Sequence, residues 1–242
     1  MTEVLVLCYH AVSPTWTATL SVTPDALERQ LSLLVRRGWR GATFSEAVLD
    51  PPSQRTLAVT FDDAFASVRS LAEPILSKLE LPATVFAPTA FMSNRQCLQW
   101  DGIEHWQQTP AAHEVTGMDW NDLAELVDRG WEVGSHAHTH PRLPGLDDQA
   151  LRFELETSSE ACRESLRRPC RSIAYPYGDV DRRVVQSARE AGYVTGAALL
   201  SPLKRAPMCW PRVGVWHNNS DRRFGLKINP VLRRWRDSRF WP

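Results

Sequence analysis

The chain has 242 residues, with 28 Lys and Arg against 28 Asp and Glu, 43% hydrophobic residues and 23% charged ones. That balance excludes a disordered chain, a collagen-like repeat and a membrane-spanning bundle, and the zero net charge argues against a surface built for nucleic acid. A chain of this length buries roughly 70% of its unfolded surface as one large domain or two small ones, enough for a real core and a deep cleft.

Short apolar runs alternate with helical patterns almost from end to end, without a fixed repeat. The first run, residues 4–8, follows Glu3, where a secretory leader needs Lys or Arg, and it is too short for a leader's apolar segment. Cys8, Cys97, Cys162, Cys170 and Cys209 are odd in number and form no Cys-x-x-Cys pair, which fits reduced thiols and a cytoplasmic protein. Thr23 and Pro24 then predict a helix start, Leu27, Leu31 and Leu34 its apolar stripe, and Gly38 its stop. Further strand candidates lie at 39–43, 56–61, 83–87, 131–135, 171–175 and 193–198. Asp119 caps a second helix that ends at Gly130, and 147–168 reads as a long amphipathic helix. Seven strands alternating with helices predict an α/β fold built on a parallel sheet or barrel.

Three segments carry chemistry. Thr60-Phe61-Asp62-Asp63 drives an apolar strand straight into two adjacent carboxylates, which a buried strand does not tolerate casually. At the carboxyl end of a barrel strand, neighbouring residues point in different directions, so one carboxylate can bind a metal while the other faces a water. The same four residues would also serve as a helix cap. Residues 89–118 lack any period and read as a long excursion from the barrel top, the kind of loop that is usually functional or disordered. Gly134-Ser135-His136-Ala137-His138-Thr139-His140-Pro141 follows another apolar strand and holds three of the seven histidines. His136 and His140 can converge within one turn, while His138 should point elsewhere. Two imidazoles and one carboxylate make a three-ligand site with a position left for water. Ala174-Tyr175-Pro176-Tyr177-Gly178 closes a third strand with a rigid turn that could line a cleft.

Together these segments resemble the polysaccharide deacetylases, carbohydrate esterase family 4, over roughly residues 4–200. The resemblance implies a distorted (β/α) barrel of about seven parallel strands and hydrolysis of N-acetyl groups on the amino sugars of a polysaccharide or lipid-linked glycan. It implies Asp62 as general base and one divalent ion on Asp63, His136 and His140, with Zn²⁺ preferred and Co²⁺, Ni²⁺ or Fe²⁺ compatible with the mixed ligands. Pro176 and Tyr177 would line the substrate and oxyanion side. Cys8-Tyr9-His10-Ala11-Val12 is similar to the exopolysaccharide subgroup, whose early Tyr-His makes His10 the candidate general acid. Two departures stand out. The family's third motif carries an Arg that orients the base, and Ala174 occupies that place here. The family's late Leu-x-x-His segment has only a loose echo in Val215-Trp216-His217, so His217 competes with His10. The rival readings are a hydrolase of a non-sugar amide in the same superfamily and a non-catalytic sugar-binding relic of the fold.

The simplest partition is a catalytic domain, 1–221, followed by a basic, aromatic tail, 222–242. That tail holds seven basic residues and one acid, giving +6, together with Trp235, Phe240 and Trp241. The expected partners are an N-acetylated glycan and no nucleic acid. Cationic and aromatic side chains in one segment also suit peripheral contact with an anionic membrane.

Overall fold

The computed structural model describes residues 3–199, 203 and 205–236. In chain order its strands are β1 Glu3–Tyr9, β2 Ala11–Val12, β3 Ser21–Val22, β4 Arg40–Ala42, β5 Arg55–Phe61, β6 Ala83–Ala87, β7 Glu132–Ser135, β8 Ser172–Ala174, β9 Thr195–Ala198, β10 Trp210–Pro211 and β11 Val213–Gly214. The helices are α1 Pro24–Arg36, α2 Phe44–Leu49, α3 Glu73–Lys78, α4 Trp120–Asp128, α5 Asp148–Leu166, α6 Arg182–Glu190, α7 Asp221–Lys227 and α8 Pro230–Arg236.

Every strand of the main sheet is parallel to its neighbours, in the order β10-β9-β8-β7-β6-β5-β1-β11, with β4 and β6 sharing one edge of β5. The seven strands expected from sequence are all present. What closes the sheet is the short segment 210–214: β10 pairs with β9 and β11 pairs with β1, so the chain crosses from one sheet edge to the other at Arg212. The Arg212 N–H donates to the Ala198 carbonyl and the Val215 N–H to that of Cys8, which fixes the crossing on both sides. The result is a nearly closed, distorted (β/α) barrel.

Alternation along β1 shows how sequence builds the two sides of the wall. Leu5, Leu7 and Tyr9 pack outward into the main core with Leu27, Leu31 and Leu34 of α1, whereas Val4 and Val6 turn inward to Ala58, Phe86, Ala174 and Ala197. Phe44, Ala47 and Val48 of α2 complete the interior cluster. The helix ends follow the predicted signals. Thr23 accepts from the Ala26 N–H with Pro24 in the first turn, Asp119 and Asp122 cap α4 reciprocally, and Asp147 accepts from the Ala150 N–H.

The excursion at 89–118 is ordered. Three turns of 3₁₀ helix surround a small core of Met92, Leu98, Ile103, Val115 and Met118, all fully or almost fully buried. Trp106 meets Trp16 edge-on at 5.3 Å, and Ser13 Oγ donates to Glu114 Oε1, so the excursion is pinned to the loop after β2. At the other end of the chain, α7 packs Phe224 and Ile228 into the main core. The Arg233 guanidinium on α8 donates to Glu3 Oε1 and to the Val4 carbonyl, at the start of β1. Among the described residues no helix is long and apolar enough to cross a membrane.

Candidate active site

Parallel strands that end in one plane deliver their following residues to one rim. Asp62 and Asp63 leave β5, His136 leaves β7, Tyr177 follows β8, and His10 leaves β1, and all of them line a cavity of about 430 Å³. Reaching that arrangement strains the backbone. Of eight non-glycine residues with positive φ among the described residues, five lie here: Asp63, Ala64, Ala137, His140 and Tyr177. Each such residue costs on the order of 1–3 kcal/mol, so the rest of the fold holds this geometry against local preference.

Asp63 Oδ1 lies 3.4 Å from His136 Nε2 and 3.3 Å from His140 Nε2, and all three side chains are buried. Their ligand atoms fall within 4.8 Å of one another. The Nδ1–H of His136 points at the Ala174 carbonyl, 2.7 Å away, which assigns the tautomer and turns the Nε2 lone pair toward Asp63. Asp63 Oδ1 is buried without a hydrogen-bond partner. An unsatisfied carboxylate oxygen facing two imidazole nitrogens is a donor set that suits a cation, so these three residues fit a divalent ion. Burial pushes the Asp63 carboxyl upward, but the two facing histidines hold it well below the usual carboxylate range. His140 is held between rings, with Trp100 stacked at 4.2 Å and Tyr177 edge-on at 4.8 Å. His138 is turned away as expected, its Nδ1 against Thr89 Oγ1 and its ring against Phe153.

Asp62, one residue earlier, lives in a different environment. Arg212 Nη1 donates to Oδ1 at 2.6 Å and Nη2 to Oδ2 at 2.7 Å, a bidentate pair between two buried side chains. Nη1 also donates to Thr60 Oγ1, and the Cys8 thiol reaches Oδ2 at 3.4 Å. Burial raises the Asp62 carboxyl, yet the charge and hydrogen bonds of Arg212, with His136 and His10 beside it, together bring the group down to about 2. Ala174, in the place where the family carries an Arg, contributes only its carbonyl to His136. The guanidinium for Asp62 comes instead from the crossing segment between β10 and β11. Sequence reasoning missed Arg212, although a lone Arg inside the apolar stretch Met208–Val215 was a usable signal, since a buried charge needs a partner.

His10 is 7% exposed, its ring centroid 5.1 Å from that of Trp216. Burial lowers its pKa, with Asp63 and Asp62 acting against that shift. His217 is exposed and is not among the residues lining the cavity. Pro176 is buried in the turn after β8, and the Tyr177 hydroxyl donates to the Asp101 carbonyl, joining that turn to the excursion.

A family model described as polysaccharide deacetylase matches residues 50–196, more than half of the chain. The chain belongs to the polysaccharide deacetylase family. It is 24% identical over 196 residues to YxkH of Bacillus subtilis (strain 168), whose name places it among polysaccharide deacetylases, covering 79% of this chain and 62% of the relative. It is 24% identical over 155 residues to the poly-beta-1,6-N-acetyl-D-glucosamine N-deacetylase of Staphylococcus aureus (strain MSSA476), covering 60% of this chain and 48% of that one. The chain thus spans only half to three-fifths of the length of these relatives. The structure of Streptococcus pyogenes deacetylase PplD in complex with acetate superposes with a TM-score of 0.76 at 21% identity, covering 95% of this chain and 99% of the other, a likeness of fold.

Proposed function

We propose that this protein hydrolyses N-acetyl groups on amino sugars of a polysaccharide or another glycan, releasing acetate, with a divalent ion held by Asp63, His136 and His140. The observation that carries this reading is the division of labour between adjacent carboxylates: Asp63 faces two imidazoles, while Asp62 is kept ionised by Arg212 beside them. A divalent ion, Zn²⁺ before Co²⁺, Ni²⁺ or Fe²⁺, would polarise the acetyl carbonyl and acidify an attacking water, which a carboxylate as weakly basic as Asp62 requires.

Asp62 accepts the proton of the attacking water, and Arg212 fixes the orientation of its two oxygens. His10, at the end of the strand beside that of Asp62, gives a proton to the departing amine. The turn after β8, shaped by Pro176, offers the Tyr177 backbone N–H to the tetrahedral oxygen. Trp100, Trp216 and Tyr177 wall the cavity with ring faces suited to a sugar. The test is acetate release from β-1,4- and β-1,6-linked N-acetylglucosamine oligomers, with chelator and after metal is restored. Release that chelator stops and metal restores supports the reading. Bound metal without acetate from any amino sugar points to a non-sugar amide or to a binding relic.

The C-terminal segment supports a location. Leu226, Val231 and Leu232 are 53%, 66% and 48% exposed, beside the exposed Arg222 and Arg223. Apolar side chains among cations suit an anionic bilayer surface, where each basic residue is worth about 1 kcal/mol. Sedimentation with anionic vesicles at low salt, lost on truncation after Asn229, is the expected result. Equal sedimentation of both forms would remove this part of the reading.

A further inference from the structure

One buried group beside the site has no part in the hydrolysis. Cys8 is fully buried on β1, with its Sγ 3.4 Å from Asp62 Oδ2. Cys8, His10 and Asp62 each offer a ligand atom, and these atoms lie within 4.8 Å of one another. His10 is more than nine-tenths buried, and its Nδ1 has no hydrogen-bond partner. We propose that Cys8 and His10, with Asp62 beside them, form a second metal site, selective for a soft monovalent cation such as Cu⁺ or Ag⁺, and that its occupancy shuts down hydrolysis.

The donor set and the local charge select the ion. A thiolate with an imidazole favours soft cations, whereas Mg²⁺ or Ca²⁺ seek oxygen donors. Arg212 is already bonded to both oxygens of Asp62, and the ligand set of Asp63, His136 and His140 fits a divalent ion close by. A second divalent cation would add charge to a buried site that holds this guanidinium. A monovalent ion adds none, because it replaces the thiol proton: Cys-SH and M⁺ give Cys-S-M and H⁺, with no change of oxidation state, and the proton leaves to solvent. Displacing the proton of a fully buried thiol takes a strongly thiophilic ion. The route in is the cavity, which His10 and Asp62 line. An ion there takes the imidazole lone pair that would carry the proton to the amine. This shutdown rests on the roles proposed for His10 and Asp62, whereas the binding does not.

Silver ion is the probe, because it needs no reductant. The full-length, zinc-loaded protein is used with Cys97→Ser, since Cys97 is exposed. Native mass spectrometry counts bound silver and retained zinc while acetate release is followed in parallel. We expect one silver ion to depend on Cys8, zinc to be retained, and acetate release to fall by about 10²-fold or more, the contribution of a positioned acid, with recovery on adding a small thiol. Cys8→Ala should hold one silver ion fewer and lose the silver sensitivity. His10→Gln should weaken silver binding with Cys8 intact, which keeps the test open if Cys8→Ala does not fold. An unchanged silver count in both variants, or silver that expels zinc, overturns the site. Silver held through Cys8 with undiminished acetate release overturns the shutdown and the part assigned to His10, while the ion site stands.

Discussion

The two ends of the barrel treat buried polar groups in opposite ways. At the amino-terminal end, Glu132 starts β7 and its carboxylate accepts from the Ser45 N–H, Ser45 Oγ, Thr84 Oγ1 and Ser172 Oγ. At the carboxyl end, Asp63 Oδ1, His140 Nδ1 and His10 Nδ1 are buried without partners. Satisfied polar clusters hold strands together, whereas unsatisfied ones in a strained rim mark where something else binds. Stability is invested below and reactivity above.

The largest expected effect lies in the unsatisfied end. His136→Ala or His140→Ala should lose bound metal and nearly all acetate release, and His138→Ala should keep both, as read by elemental analysis beside the activity assay. Retention of metal by His140→Ala with its loss from His138→Ala would reverse the ligand assignment.

Next come the two groups assigned to proton transfer. Asp62→Asn should keep metal near wild-type occupancy while kcat falls by about 10²- to 10⁴-fold, and His10→Ala should fall by a similar factor on an amide. His10→Ala should matter less for an activated ester, whose leaving group needs no proton, and His217→Ala should be nearly silent on both substrates. The comparison sharpens if the ester spares His10 alone.

Arg212 tests whether the upper end also contributes stability. Arg212→Met leaves a buried carboxylate unpaired and should cost about 3–5 kcal/mol, read from urea unfolding at neutral pH. The sign with pH follows from the depressed carboxyl. Asp62 titrates at about 2 in the fold and near 3.9 when unfolded, so the stabilisation is full above roughly pH 4 and disappears as pH falls toward 2. The gap between wild type and Arg212→Met should therefore narrow across that window, and a gap that persists at pH 2 would assign the loss to packing.

The smallest effect belongs to the satisfied end. Glu132→Gln should cost about 1–3 kcal/mol of stability, with metal content and kcat per folded molecule unchanged. A large loss of kcat in that variant would break the separation of the two ends.

Much of this was legible in the chain. The strand of 56–61 ending in Asp62 and Asp63, the His136 and His140 pair after a second strand, and the caps at Thr23, Asp119 and Asp147 all depend on local pattern. Arg212 was not read, because β10 and β11 are two residues each and carry no period, and its partner Asp62 is 150 residues away. Trp100 over His140 was equally hidden, since the excursion that brings it there has tertiary packing but no repeat. Long-range pairing at the barrel seam is where sequence pattern stops being informative.

The anchoring of Arg233 to Glu3 and the Val4 carbonyl also sets a direction. These groups start β1, while the reactive rim follows its other end, seven residues on, about 20 Å away at strand rise. A molecule seated on a charged surface through α8 would stand with its mouth pointing outward. It would then work as an upright reader of strands arriving from solution, and sugars embedded in the same surface would lie out of reach.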